Sequence, residues 1–144
     1  MTLEDFITFR LKDYLKGLFL GDDHLEVTQC GFYHHEGHKH DGYLCLKYIK
    51  KERHSYDTYT SEYYLECNFR WEYLPKTSYF HDGLSFSVLG FKVHLDNADD
   101  DDMKVLQEVM LTVKSAIRDI PLVTYDEMES IGVEVLGRIS RDKI

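Results

Sequence analysis

The sequence predicts an α+β domain in which helices cover one face of a four-stranded antiparallel meander, in the order α-β-β-β-β-α-α. Three observations lead to this fold class. Residues 59–73 alternate apolar and polar side chains with a period of two, as a half-buried strand does. The strand-like segments occupy one consecutive block with short connections, which favours an antiparallel meander. Amphipathic segments with helical spacing lie at both ends of the chain.

Residues 59–73 are predicted to form the central strand. Of its odd-numbered positions, seven of eight are apolar or aromatic, and six of its seven even-numbered positions are polar. The odd face, which includes Trp71, is therefore predicted to lie against the helices, and the even face is predicted to be polar. A strand of this length is expected to coil or to carry a bulge.

Three further segments are predicted to be strands. Residues 25–36 form the first, with a bulge near Gly31 where the apolar phase shifts. Residues 43–51 follow an Asp-Gly turn and form the second. Residues 84–95 form the last, and a slip of the apolar phase beside Gly90 predicts another bulge.

Helices are predicted before and after this block of strands. The first covers residues 2–20 and ends at Gly21. The second opens in the acidic run at residues 96–102, and the third starts at a capping box that begins with Thr124. Their predicted apolar seams are Met103, Leu106, Met110, Val113 and Ile117 in the second helix, and Met128, Ile131, Val135 and Ile139 in the third.

The length and charge of the chain limit its functional class. A chain of 144 residues without a shift in composition is expected to form a single domain over residues 1–144. The net charge of −9 comes from 17 basic and 26 acidic residues. Free nucleic acid is therefore not expected as a direct ligand, because phosphate contacts need clustered lysine and arginine. A basic protein surface is the better electrostatic partner, although the charge also favours solubility alone.

The cysteines and the hydropathy pattern predict a cytoplasmic location. The three cysteines, Cys30, Cys45 and Cys67, are widely spaced and offer no CxxC pair. Free cysteines in strand-like segments are typical of a reducing compartment. The acidic N-terminus is not that of a signal peptide, and no apolar run has the length that crosses a membrane.

A histidine cluster is the first candidate site. Residues 33–41 contain four histidines, one glutamate and one aspartate, and histidine is the commonest metal ligand. On a straight strand the candidate zinc ligands would share one side. These candidates are His34, Glu36, His38 and His40. The spacing is not that of an HExxH motif, so a polar hairpin tip without metal is the simpler interpretation.

An acidic run is the second candidate site, and we call it the acidic knob. It consists of Asp96, Asp99, Asp100, Asp101 and Asp102. The run does not match the EF-hand pattern, which needs glycine at its sixth position and glutamate at its twelfth. One or two aspartates suit a helix N-terminus, but five in seven residues predict a surface that docks on a basic partner.

The even face of the central strand is the third candidate site. Tyr64 lies there among polar residues that include Glu62 and Glu66. Tyrosine beside carboxylates on an open sheet face is typical of a protein interface, and plain strand propensity explains the tyrosine there equally well.

These features together predict a small acidic binding protein that neutralises or escorts a basic protein partner. Immunity proteins and phage-encoded inhibitors of host defence belong to this class, and the partner would be a nuclease toxin or a nucleic-acid-binding defence protein. No motif is specific enough to name a reaction, so a non-enzymatic role is expected. The alternative is a metal-binding protein or a metal-dependent hydrolase that uses the histidine cluster at residues 34–41.

Overall fold

The structure is a computed structural model that describes residues 1–19, 21, 23–37, 40–54, 56–74, 83–93 and 99–133. Its elements are α1 (Leu3–Leu15), β1 (His24–Phe32), β2 (Asp41–His54), β3 (Asp57–Leu74), β4 (Gly83–Val93), α2 (Asp100–Arg118), β5 (Val123–Thr124) and α3 (Tyr125–Ser130). The strands form one sheet in the order β1-β2-β3-β4-β5, and all neighbours are antiparallel. The α+β class and the antiparallel meander are confirmed.

The predicted number of strands and the predicted element order are wrong in one respect. The two-residue strand β5 lies between α2 and α3 and pairs with Gly83 and Leu84 at the start of β4. A Cβ atom at Gly83 would collide with the carbonyl oxygen of Val123, so the close approach of these strands requires glycine. Two residues carry no periodicity, which explains why the sequence pattern missed this strand.

The central strand has the predicted phase. From Leu65 to Trp71 the odd positions of β3 are buried and belong to the core, and Tyr73 is partly buried against it. The predicted bulge beside Gly90 is confirmed, because the register passes from Asn68 opposite Gly90 to Phe69 opposite Val88 and leaves Leu89 as the extra residue.

The bulge in β1 was predicted at the wrong residue. The register passes from Val27 opposite Leu46 to Gln29 opposite Cys45, so Thr28 is the extra residue rather than a residue near Gly31. In the sequence the apolar residues change from odd positions, such as Val27, to even positions, beginning with Cys30. The bulge lies within this change, immediately after Val27.

The β2–β3 hairpin extends beyond the rest of the sheet. Pairing with β1 ends at Ile49, and pairing with β4 begins at Leu65. Beyond these points residues 50–54 and 57–61 pair with each other, and no other described strand joins them. We call these two segments the projecting ribbon. The side chains of residues 56–60 are exposed there, so the first part of the predicted buried face is not covered.

Helix α1 is shorter than predicted. The side chain of Thr2 caps it by accepting a hydrogen bond from the backbone N–H of Asp5 at 3.1 Å. The helix ends at Leu15 rather than at residue 20, because Lys16 is extended and Gly17 has a φ of 78°. Glycine adopts this left-handed conformation without steric cost.

Helix α2 begins in the predicted acidic run and Thr124 caps α3 as predicted, but not every predicted seam residue is buried. Four buried residues of α2 face the core: Leu106, Val109, Val113 and Ile117. Met103 was predicted to be buried and is 41% exposed, whereas Val109, which was not in the predicted seam, is buried. Ile131, also predicted inward, is 53% exposed because α3 ends at Ser130. The predicted continuation through Val135 and Ile139 lies outside the described residues.

One core joins the sheet to its helices. The buried residues of α1 and α2 pack with the inward residues of β2, β3 and β4, and we call this side of the sheet the covered face. The other side, which carries Lys47, Glu62 and Tyr64, is open to solvent in the described part of the chain, and we call it the open face. Within the described ranges no helix has the length and apolar character needed to cross a membrane.

Candidate protein-binding surface

Tyr64 occupies the middle of the open face. Its side chain is 57% exposed, and it lies opposite Lys47 in the register of β2 and β3. The phenol donates a hydrogen bond of 2.7 Å to Oε2 of Glu62, and Lys47 Nζ lies 3.4 Å from Oε1 of the same carboxylate. Lys47 Nζ also lies 6.0 Å from the centroid of the Tyr64 ring. The tyrosine is therefore held at its hydroxyl while its ring faces solvent.

Hydrogen bonding shifts the pKa values of Glu62 and Tyr64 in opposite directions. The bond from Tyr64 is the largest cause that lowers the pKa of Glu62, followed by the hydrogen bond and charge of Lys47. The same bond to Glu62 is the main cause that raises the pKa of Tyr64. Both shifts reflect a carboxylate that accepts bonds from Tyr64 and Lys47, and because the group is exposed to solvent these bonds contribute little to stability.

Glu66 lies further along the same face and is already engaged. It accepts a hydrogen bond of 3.3 Å from the side-chain amide of Asn68, and Lys92 Nζ lies 3.7 Å from the same oxygen. The Lys92 side chain is 68% exposed, so this ion pair contributes little to stability and is available to exchange partners.

The acidic knob divides into structural and exposed aspartates. Asp99 is the N-cap of α2 and forms a reciprocal capping box with Asp102. Asp102 also accepts a hydrogen bond of 2.9 Å from the phenol of Tyr63. Asp100 and Asp101 lie exposed on the first turn, where the helix dipole favours negative charge. Asp96 lies outside the described residues.

The predicted binding residues lie on two sides of β3. Consecutive side chains on a strand point to opposite faces, so Tyr63 points to the covered face and Tyr64 to the open face. Tyr63 contacts the acidic knob through Asp102, whereas Tyr64 contacts Glu62. The structure thus does not bring the knob and the open face into one flat surface; both border the same end of β3.

An acidic cleft of about 380 Å³ separates the projecting ribbon from the start of α2. The carboxylates that line it are Glu52, Asp99, Asp101, Asp102 and Glu108, and the basic side chains are Lys50 and Lys104. Sequence reasoning missed two of these carboxylates. These are Glu52 and Glu108. Glu108 could have been identified from its spacing to Asp101, since seven residues make about two helical turns and place both side chains on one face. No local signal identifies Glu52, which reaches the cleft through strand pairing.

The histidine cluster is dispersed in the structure. His34 is directed to Glu4 of α1, with 3.4 Å between Nε2 and Oε1, whereas the ring of His40 lies on Trp71 with 4.4 Å between centroids. Glu36 is exposed and His38 lies outside the described residues. Among the residues that the structure describes, no three His, Cys, Asp or Glu side chains form a group suited to a metal ion. The zinc site stays a prediction.

An ion pair between a buried carboxylate and a partly exposed guanidinium lies next to this segment and was not predicted. Asp41 is 4% exposed, and its carboxylate accepts hydrogen bonds from Nε and Nη2 of Arg70 at 2.7 and 3.2 Å. The bonds and charge of Asp41 raise the pKa of the Arg70 guanidinium, against a smaller opposing effect of burial. This bidentate pair joins β2 to β3 at the end of the sheet opposite the projecting ribbon.

The chain matches no protein-family profile, no curated protein and no solved structure at a significant level. Functional inference therefore depends on the chemistry of the surfaces described above.

Proposed function

We propose that this protein is a small acidic binding protein that neutralises or escorts a basic protein partner. One observation carries the proposal: Tyr64 is 57% exposed on the open face while its hydroxyl is fixed by Glu62. Tyrosine is among the residues that dominate binding energy at interfaces, and a preorganised side chain loses little entropy on binding. The exposed carboxylates around it suit a partner that carries lysine or arginine.

The charge distribution supports a partner with a positively charged surface. The chain carries a net charge of −9, and the acidic cleft collects five carboxylates beside two lysines. Charge complementarity of this kind accelerates encounter and selects the partner more than it increases affinity. The exposed side chains of Asp100 and Asp101 suit this steering role because neither belongs to the capping box.

Among proteins of this class we favour the immunity proteins and the phage-encoded inhibitors of host defence. The partner would then be a nuclease toxin or a nucleic-acid-binding defence protein, because proteins that bind nucleic acid present basic surfaces. We expect the protein itself to bind neither nucleic acid nor membrane and to act without catalysis in the cytoplasm. The three free cysteines, one of them fully buried, support a reducing compartment.

Binding kinetics against the purified partner, recovered by pull-down from the native host, test the proposal. Tyr64→Ala should speed dissociation about thirtyfold, the equivalent of about 2 kcal/mol for an interface anchor, with weak dependence on salt. The double variant Asp100→Asn/Asp101→Asn should slow association, and the deficit should shrink as salt rises.

A matched control is Phe9→Ala. Phe9 is a similarly exposed aromatic residue on α1, at 61%, and it lies far from the open face in sequence and in the fold. Its rates should equal those of the unaltered protein. Unchanged rates in both the Tyr64 and the aspartate variants would contradict the proposal. So would the absence of any partner together with stoichiometric zinc in the purified protein, which would favour the histidine cluster instead.

A further inference from the structure

We propose that the partner enters at the edge of β3 in the projecting ribbon, where an extended basic segment of the partner adds a strand to the sheet. This inference rests on the proposed function, because it assumes the same basic partner and specifies how that partner is held. Ser61 at this edge lines the acidic cleft, and its neighbour Glu62 lies on the open face, so the edge borders both surfaces.

At this edge, every second residue of β3 directs its backbone N–H and C=O groups away from β2. Trp71 donates its N–H to the carbonyl of His40, so the odd residues of β3 bond towards β2. The β2–β3 register has no shift. In the projecting ribbon too, therefore, the odd residues of β3 bond to β2 and the even residues direct their backbone groups away from it. Lys51, opposite Thr60, confirms it: its N–H points away from β3 and donates to Oδ1 of Asp23 at 3.0 Å.

Thr58 and Thr60 consequently direct their N–H and C=O groups away from β2. The described pairing of β3 with β4 begins only at Leu65, so no described strand takes up these groups. An outward row of backbone donors and acceptors is the feature that strand addition uses.

The two edges of the projecting ribbon differ in their protection. On the β2 side, the N–H of Lys51 is already bonded to the carboxylate of Asp23. The consecutive lysines Lys50 and Lys51 also disfavour pairing with a further strand. On the β3 side, residues 57–61 read Asp-Thr-Tyr-Thr-Ser and contain neither lysine nor proline. Threonine and tyrosine also favour strands. Only the β3 edge therefore has the composition of a pairing surface.

The charge around the edge selects the occupant. Side chains of an added strand alternate between the two faces. One set would enter the acidic cleft near Ser61 and Asp101, where carboxylates outnumber lysines. The other set would lie on the open face beside Glu62 and Tyr64. Lysine or arginine at alternate positions fits both surroundings, and a single segment would then contact the two surfaces that lie on opposite sides of β3.

A synthetic peptide tests the edge directly. The probe is an end-blocked octapeptide that alternates lysine and threonine, and the matched control replaces each lysine with glutamate. In the unaltered protein, the lysine peptide should slow amide hydrogen exchange at Thr58 and Thr60 at least about tenfold, because their N–H groups become bonded. The glutamate peptide should leave exchange at both residues unchanged. This measurement needs no variant.

Two substitutions at one position separate backbone from side chain. Thr60→Pro removes the outward N–H and no bond to β2, whereas Thr60→Val keeps the N–H and the β-branched shape. Thr60→Pro should weaken peptide binding at least about tenfold and Thr60→Val should leave it within about twofold, with circular dichroism melts confirming that both are folded.

Several results would overturn the inference. These are an absence of peptide binding at millimolar concentration, equal binding of the glutamate peptide, or protection of amides elsewhere than on this edge. Sedimentation of the free protein as a dimer with Thr58 and Thr60 already protected would assign the edge to a second copy of the chain. Unchanged partner binding by Thr60→Pro, with faster dissociation in Tyr64→Ala, would leave the proposed function standing and refute the edge alone.

Discussion

Replacement of Trp71 by alanine tests the covered face of the sheet. The side chain is 8% exposed, and its ring centroid lies 4.4 Å from that of His40 and 5.4 Å from that of Tyr73. Truncation of a buried tryptophan to alanine costs about 3–5 kcal/mol, which includes the cavity that it leaves. The substitution Trp71→Ala should therefore destabilise the fold strongly.

The lower end of that range is expected, for a reason visible in the structure. The indole N–H of Trp71 is buried and has no hydrogen-bond partner among the residues that the structure describes. An unpaired buried donor costs about 1–3 kcal/mol, and the variant removes this cost together with the ring. We therefore expect a loss of about 3 kcal/mol for Trp71→Ala, and less than about 1.5 kcal/mol for Trp71→Phe, which keeps an aromatic ring without the donor.

Urea denaturation followed by circular dichroism measures both losses, since Trp71 is the only tryptophan and its fluorescence disappears with it. With a slope of about 2 kcal/mol per molar urea, Trp71→Ala should lower the midpoint by about 1.5 M. Tyr64→Ala is the control on the opposite face and should cost less than about 1 kcal/mol. Equal midpoints for Trp71→Ala and the unaltered protein would show that the odd face of β3 is not the buried one.

Three further substitutions probe helix α2, the partly buried phenol of Tyr73 and the ion pair between Asp41 and Arg70. Leu106 is 1% exposed, so Leu106→Asp should abolish the cooperative melt; a normal transition would contradict the packing of α2. Burial raises the pKa of Tyr73 to about 12, so the stability that its neutral phenol contributes is complete below pH 10 and lost as pH rises through 12. The urea midpoint should thus fall less between about pH 8 and about pH 11 in Tyr73→Phe than in the unaltered protein. An equal fall in the two proteins would show that Tyr73 is not the origin of this loss of stability. Arg70→Ala leaves the buried carboxylate of Asp41 without its guanidinium and should lower the melting temperature more than Lys92→Ala, which breaks an exposed pair; the reverse ranking would contradict the assignment.

The sequence by itself determined the fold class and the phase of the central strand. Alternation along β3 is a local property, and one buried face imposes it on every residue from Leu65 to Trp71. The bulge beside Gly90 and the caps at Thr2 and Thr124 were also readable, because each depends on residues that are close in the chain.

The candidate site was only partly readable from the sequence. The alternation of the central strand assigned Tyr64 to the polar face, and in the structure its side chain is 57% exposed there. The histidines were close in sequence, but His34 and His40 point to different elements because a chain reversal separates neighbours that a straight strand would align. Glu52 joined the acidic cleft through pairing with β3, which no local pattern encodes.

The tertiary structure alone decided where the sheet ends and what its edges expose. The strand β5 is too short to have a period, and it exists because Gly83 admits another backbone beside β4. Tyr59 is in phase with the buried residues of β3, yet it is 53% exposed because the described pairing of β3 with β4 begins only at Leu65. Burial and strand pairing depend on partners that are distant in the chain. The projecting ribbon could therefore be recognised only from the pairing of the described strands.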